Sequence, residues 1–141
     1  MTTTVTAPVP DRSWTRHLML AVALLLLLSS VAHGSLGLST VRAALAQTAA
    51  PADVLEIVTF GWLLGSLAQL TFALIVLIAW RRARRGDGSG LEGASLVAAA
   101  YFLFGLGAFL ATGFQPFYLM MFLLPGCLLG WAVLAARPRS S

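Results

Sequence analysis

The chain is laid out as long apolar runs separated by short polar breaks, and the runs are longer than the core of a soluble domain requires. Leu18 to Val41 and Ile57 to Trp80 are 24 residues each and contain no Asp, Glu, Lys or Arg. Gly93 to Ala136 is a third such run, of 44 residues. About 20 apolar residues cross the hydrocarbon of a bilayer as one helix. A single 44-residue helix would rise ~66 Å at about 1.5 Å per residue, roughly twice that thickness. The third run must therefore fold back, and Thr112-Gly113-Phe114-Gln115-Pro116 supplies its turn signal. The pattern predicts an all-α polytopic integral membrane protein. The expected arrangement is an antiparallel four-transmembrane-helix bundle, one membrane domain over 1–141, with helices at about 18–40, 56–80, 91–111 and 116–136 and an Arg-rich loop at 81–90.

Local chemistry suggests where these helices begin. Ser89 with Glu92, and Thr112 with Gln115, have the three-residue spacing of a capping box. Asp53, behind Pro51, is placed to cap the second helix. Arg16-His17, the apolar run from Leu18 to Leu28, and Ser29-Ser30-Val31-Ala32 also have the layout of a cleaved leader. The favoured expectation is an uncleaved helix running on through Gly34 and Gly37.

Composition agrees with the pattern. Hydrophobic residues make up 59% and charged residues 10%, against about 45–50% and roughly 25% in soluble domains, and the mean hydropathy is +0.89. An ordinary soluble enzyme, a disordered tail and a nucleic-acid-binding domain are excluded. The net charge of +4 comes from nine Arg and no Lys against five acids, and its placement carries topological information. Arg12 and Arg16 precede the first span, Arg81, Arg82, Arg84 and Arg85 follow the second, and Arg137 and Arg139 follow the fourth. Basic residues are retained on the cytoplasmic side of short loops. Four spans put all eight on that side, leave only Arg42 opposite, and make both termini cytoplasmic. The expected location is a bacterial cytoplasmic (inner) membrane. The Arg81–Arg85 cluster reads as an anchor to anionic lipid, not as a nucleic-acid patch. Cys127 is the single cysteine, so no disulfide framework is possible.

Lipid tails are as apolar as leucine, so helices in a bilayer meet through small residues and polar contacts. Gly61 and Gly65, and Gly126 and Gly130, form G-x-x-x-G pairs on spans two and four. Pro125 removes a helical hydrogen bond and crowds the carbonyl of Met121, which predicts a kink.

Polar residues within the spans are few. His33 is the ionisable exception, and Glu56, Thr59, Trp62, Ser66 and Gln69 follow helical spacing along span two. With Tyr118 at the end of span four they form a candidate polar or ligand-binding cluster in the outer half, and His33 is its centre. An intramembrane ionisable residue is a functional candidate by default, and imidazole can exchange a proton near neutral pH. The alternative is a hydrogen bond that merely ties spans one and two together. No metal and no cofactor are expected. Zinc needs three or four clustered ligands. His17 and His33, 16 residues apart on one helix, are ~24 Å apart and cannot ligate one haem.

Two functions remain. One is an accessory or structural subunit of a membrane complex or homo-oligomer, with lipids as its other partners. The other is a protein that binds, transports or acts on a lipid or small hydrophobic molecule around His33. Whether it is an enzyme stays open.

Overall fold

The structure is a computed structural model that describes residues 13–137. Arg12 and Arg139, two of the arginines that orient the chain, lie outside the described residues. Four helices are long and apolar enough to cross a membrane: α1, Ser13–Gln47; α2, Ala52–Arg84; α3, Leu91–Ala111; and α4, Pro116–Ala136. The last two coincide with the predicted segments. The first two overrun theirs at both ends. Hydropathy marks where lipid contact would stop, whereas a helix continues while its residues favour it, and Ala43, Ala44, Leu45 and Ala46 are good helix formers.

α1 packs along α2 and also against α4, while α3 packs against α4 and α2. The buried apolar residues gather at the arginine-bearing end. They include Met19, Val22 and Leu26 of α1, Val76 and Ala79 of α2, Ala94 and Val97 of α3, and Leu129 and Val133 of α4. Beyond Ser30 and Gln69, towards the opposite end, neither α1 nor α2 has a buried residue. There the flanks of the α1–α2 hairpin are apolar and uncovered: Leu36, Ile57 and Phe60 are each 70% exposed.

Two backbones come close at the α3–α4 contact. A Cβ added to Gly105 would lie 2.5 Å from the Leu123 nitrogen, and one added to Gly126 would lie 2.6 Å from the Phe102 nitrogen. Neither neighbour is a side chain that can swing aside. The other glycines of the two G-x-x-x-G pairs sit differently. Gly61 faces nothing within 4 Å, Gly65 faces the His33 ring, and Gly130 makes an ordinary contact with Ala98.

α4 contains a π-helical turn at Leu119–Leu123, where the Leu124 N–H bonds to the Leu119 carbonyl. It ends just before Pro125. Proline has no N–H to donate and its ring crowds the carbonyl four residues back. One extra residue in the turn re-spaces those carbonyls, so the expected disruption takes the form of a π-bulge.

The predicted caps are not formed. Gly90 is the N-cap of α3, and the Ser89 hydroxyl instead accepts a bond from Arg82 Nη1 at 2.9 Å. Thr112 donates back to the Ala108 carbonyl, and Gln115 caps α4 without a side-chain bond. Pro51 is the N-cap of α2, and Asp53 lies in its first turn, where a negative charge favours the helix dipole. Ser89 and Thr112 bond to other partners, and each helix begins one to three residues away from the expected register.

The α2–α3 turn closes with a Schellman motif. Gly86 takes φ +78°, its N–H bonds to the Ala83 carbonyl, and the Asp87 N–H bonds to the Arg82 carbonyl. Asp87 accepts from the Ser89 N–H at 2.8 Å. That bond and the Ser89 hydroxyl hold its carboxyl below the ordinary 3.8, and the Arg82 cation adds to the effect.

Gly105→Ala and Gly126→Ala should each lower stability by about 1–3 kcal/mol, the usual cost of overpacking. Gly61→Ala, facing open space, should be neutral or gain up to about 1 kcal/mol from helix propensity. Thermal unfolding in one detergent, compared across the three variants, checks this order.

Candidate functional site

Four of the candidate residues, His33, Trp62, Ser66 and Gln69, meet along the α1–α2 seam. In α1 the segment His33–Gly37 is π-helical, and the Leu38 N–H reaches the His33 carbonyl. The same carbonyl accepts the Trp62 indole Nε1–H at 2.7 Å. One carbonyl oxygen can serve two donors through its two lone pairs. The His33 and Trp62 rings stack at 4.3 Å between centroids and 6° between planes. The glycines of this turn admit the neighbour: a Cβ at Gly37 would lie 3.0 Å from Trp62 Nε1, and one at Gly34 would lie 3.1 Å from Ser66 Oγ.

The seam continues towards the arginine-bearing end. Ser30 Oγ donates to the Ser66 carbonyl at 2.8 Å, and Ser29 Oγ donates to Gln69 Oε1 at 3.3 Å. Numbers fall along α1 as they rise along α2, so the two helices are antiparallel. Ser66 Oγ returns to the Trp62 carbonyl of its own helix. Ser30 and Gln69 are buried; His33, Trp62 and Ser66 are half-buried.

His33, Trp62, Ser66 and Gln69 are thus brought together. Thr59 is turned to its own helix, donating to the Leu55 carbonyl at 2.7 Å. Glu56 is exposed, one turn from Thr59. Tyr118 lies in another group, its ring against Phe117 and Phe122 of its own helix. Sequence reasoning missed Ser29 and Ser30. Their signal was positional, since Ser29, Ser30, His33, Gly34 and Gly37 recur at the spacing of one helical face.

Three hydrogen bonds of this arrangement join the two helices. Among the described residues, the ring nitrogens of His33 have no hydrogen-bond partner, since the stack and the backbone carbonyl make its contacts. The same residues contain no group of three His, Cys, Asp or Glu that could hold a metal ion.

Two other features lie outside the seam. Tyr101 is buried between Phe72 and Phe122, and its hydroxyl has no hydrogen-bond partner. An apolar groove of about 520 Å³ follows α3 and α4 past Ala98, Gly126, Gly130 and Trp131. It reaches Arg137, whose Nη2 donates to Ser95 Oγ at 3.1 Å. No protein-family model, no curated protein and no solved structure matches the chain.

Trp62→Phe keeps a ring to stack and deletes the indole donor. It should cost about 1 kcal/mol, the usual worth of an interhelical hydrogen bond, seen as a lower unfolding midpoint. Tyr101→Phe removes a buried hydroxyl that has no partner and should stabilise by about 1 kcal/mol. A lower midpoint for that variant would mean that the hydroxyl is bonded in the protein.

Proposed function

We propose that the chain is a small multi-pass membrane protein whose four helices cross a bacterial inner membrane as an antiparallel bundle, with both termini cytoplasmic. In this reading it serves as an accessory or structural subunit of a homo-oligomer or larger membrane complex. Helix length and hydropathy support the spans, and the arginine placement supports the orientation.

One observation carries the structural role. The Trp62 and Gln69 side chains, with Ser29 and Ser30, tie α1 to α2, while the flanks of that hairpin are apolar and left uncovered by α3 and α4. A hairpin stiffened from within and apolar without suits packing against another membrane-embedded surface.

A second reading has an observation of its own. His33 lies in a π-helical turn, half-buried, with neither ring nitrogen bonded. Such turns often occur at functional sites, and the imidazole could receive the polar group of a small hydrophobic molecule.

Native mass spectrometry after extraction in mild detergent separates the two. The structural reading expects a stoichiometric second copy or partner chain, retained in His33→Ala. A monodisperse monomer that carries a small molecule, lost in His33→Ala at an unchanged melting temperature, would replace it with the second reading.

A further inference from the structure

A second cavity lies away from the seam, at the arginine-bearing end between α1 and α2. It has a volume of about 430 Å³ and is lined by Arg16, His17 and Leu20 from α1 and by Trp80 and Arg84 from α2. Water occupies about 30 Å³ per molecule in the liquid, so the space exceeds what a phosphate group needs. Among the described residues, no carboxylate lines it. Two guanidiniums and an imidazole, 68 positions apart in the chain at their extremes, are therefore collected around one opening by the pairing of two helices.

The chemistry of the lining narrows the ligand. The Arg84 guanidinium carbon lies 5.0 Å from the centre of the Trp80 ring. That cation–π contact steadies the guanidinium beside the ring. The edge of a guanidinium matches the paired oxygens of a phosphate. Imidazole adds a further donor from whichever nitrogen carries a proton. Leu20, one turn deeper than Arg16 on α1, gives the cavity an apolar side. Trp80 is the kind of residue that settles at headgroup level. A cationic rim over an apolar side, at the end of two membrane-length helices, fits a molecule with a phosphate above and a hydrocarbon chain below.

We propose that Arg16, His17, Trp80 and Arg84 form a binding site for the phosphate of an anionic phospholipid. This rests on the reading that the helices cross a bilayer. It goes beyond a diffuse attraction of the Arg81–Arg85 segment to negative lipid, because it confines the ligand to one cavity shared by two helices. A zwitterionic lipid such as phosphatidylcholine presents the same phosphodiester but brings an ammonium group towards two guanidiniums, so the site should discriminate by net headgroup charge.

The two histidines of the chain provide the test, because His17 lines the cavity and His33 belongs to the distant seam. The full chain, labelled at histidine and held in an uncharged detergent, is titrated with short-chain phosphatidylglycerol, short-chain phosphatidylcholine or inorganic phosphate while both imidazole signals are followed by NMR. Phosphatidylglycerol should shift the His17 signals and leave those of His33 unmoved, with an apparent affinity at least about tenfold above that of phosphatidylcholine. The double variant Arg16→Gln, Arg84→Gln should weaken that response by at least about tenfold. The control Arg81→Gln, Arg85→Gln, of equal charge and outside the lining, should change it by less than about threefold.

Equal responses to the two lipids would overturn the proposal, and so would an equal loss in the control variant. Saturation by inorganic phosphate at the same concentrations would identify a soluble-anion site and overturn the assignment to lipid. The comparison of the three ligands on the unaltered chain decides the matter even where the Gln variants do not fold. Failure of the membrane reading is detected separately, as release of the chain from membranes by alkaline carbonate.

Discussion

The geometry of the chain depends on how closely two helix backbones can approach when no side chain stands between them. At Gly105 and Gly126 the α3 and α4 main chains leave no room for a methyl group. This approach brings α3 and α4 together, and α2 and α1 then close on the two of them through Ala79, Ala94, Val97, Leu129 and Val133. Where lipid surrounds a protein, burying leucine between helices gains little, because the tails are equally apolar. Close packing of small residues is then a main source of cohesion. The π-bulge in α4 belongs to the same contact: Leu123, its last residue, is the one against which Gly105 rests.

The α1–α2 seam achieves its cohesion by another means. Ser29, Ser30 and the His33 carbonyl meet Gln69, the Ser66 carbonyl and the Trp62 indole in an antiparallel ladder of polar contacts. Two of its acceptors are backbone carbonyls already within helices, so the donors add bonds without unwinding either helix. The His33–Gly37 bulge fits this arrangement, since it places Gly34 and Gly37 under Ser66 and Trp62 and lets the indole reach its acceptor. A histidine that looks like an isolated ionisable group in the sequence thus joins the ladder through its backbone oxygen and its ring face.

The two ends of the molecule differ in kind. The arginine-bearing end holds the four-helix core, the Schellman turn at Gly86 and the basic cavity. The opposite end of the α1–α2 hairpin holds an apolar surface with little covering it. The first end has the chemistry to meet headgroups and the second has the chemistry to meet lipid or another apolar helix. This division follows from helix length, since α1 and α2 run for 35 and 33 residues while α3 and α4 run for 21 each.

The order of amino acids alone made legible the number of helices, the turn at Thr112–Pro116, the limits of α3 and α4, and the grouping of arginines at one end. These follow from hydropathy and charge, which are properties of residues taken singly or in short runs. It also brought His33, Trp62, Ser66 and Gln69 into one group, because helical spacing fixes which residues share a face. It did not show which glycines touch a neighbour, that Ser29 and Ser30 belong to the seam, or that Arg16 and His17 share a cavity with Trp80 and Arg84. A helix that is apolar on every side has no preferred face, so its partners are chosen by shape across distant segments. That choice exists only once two helices are packed.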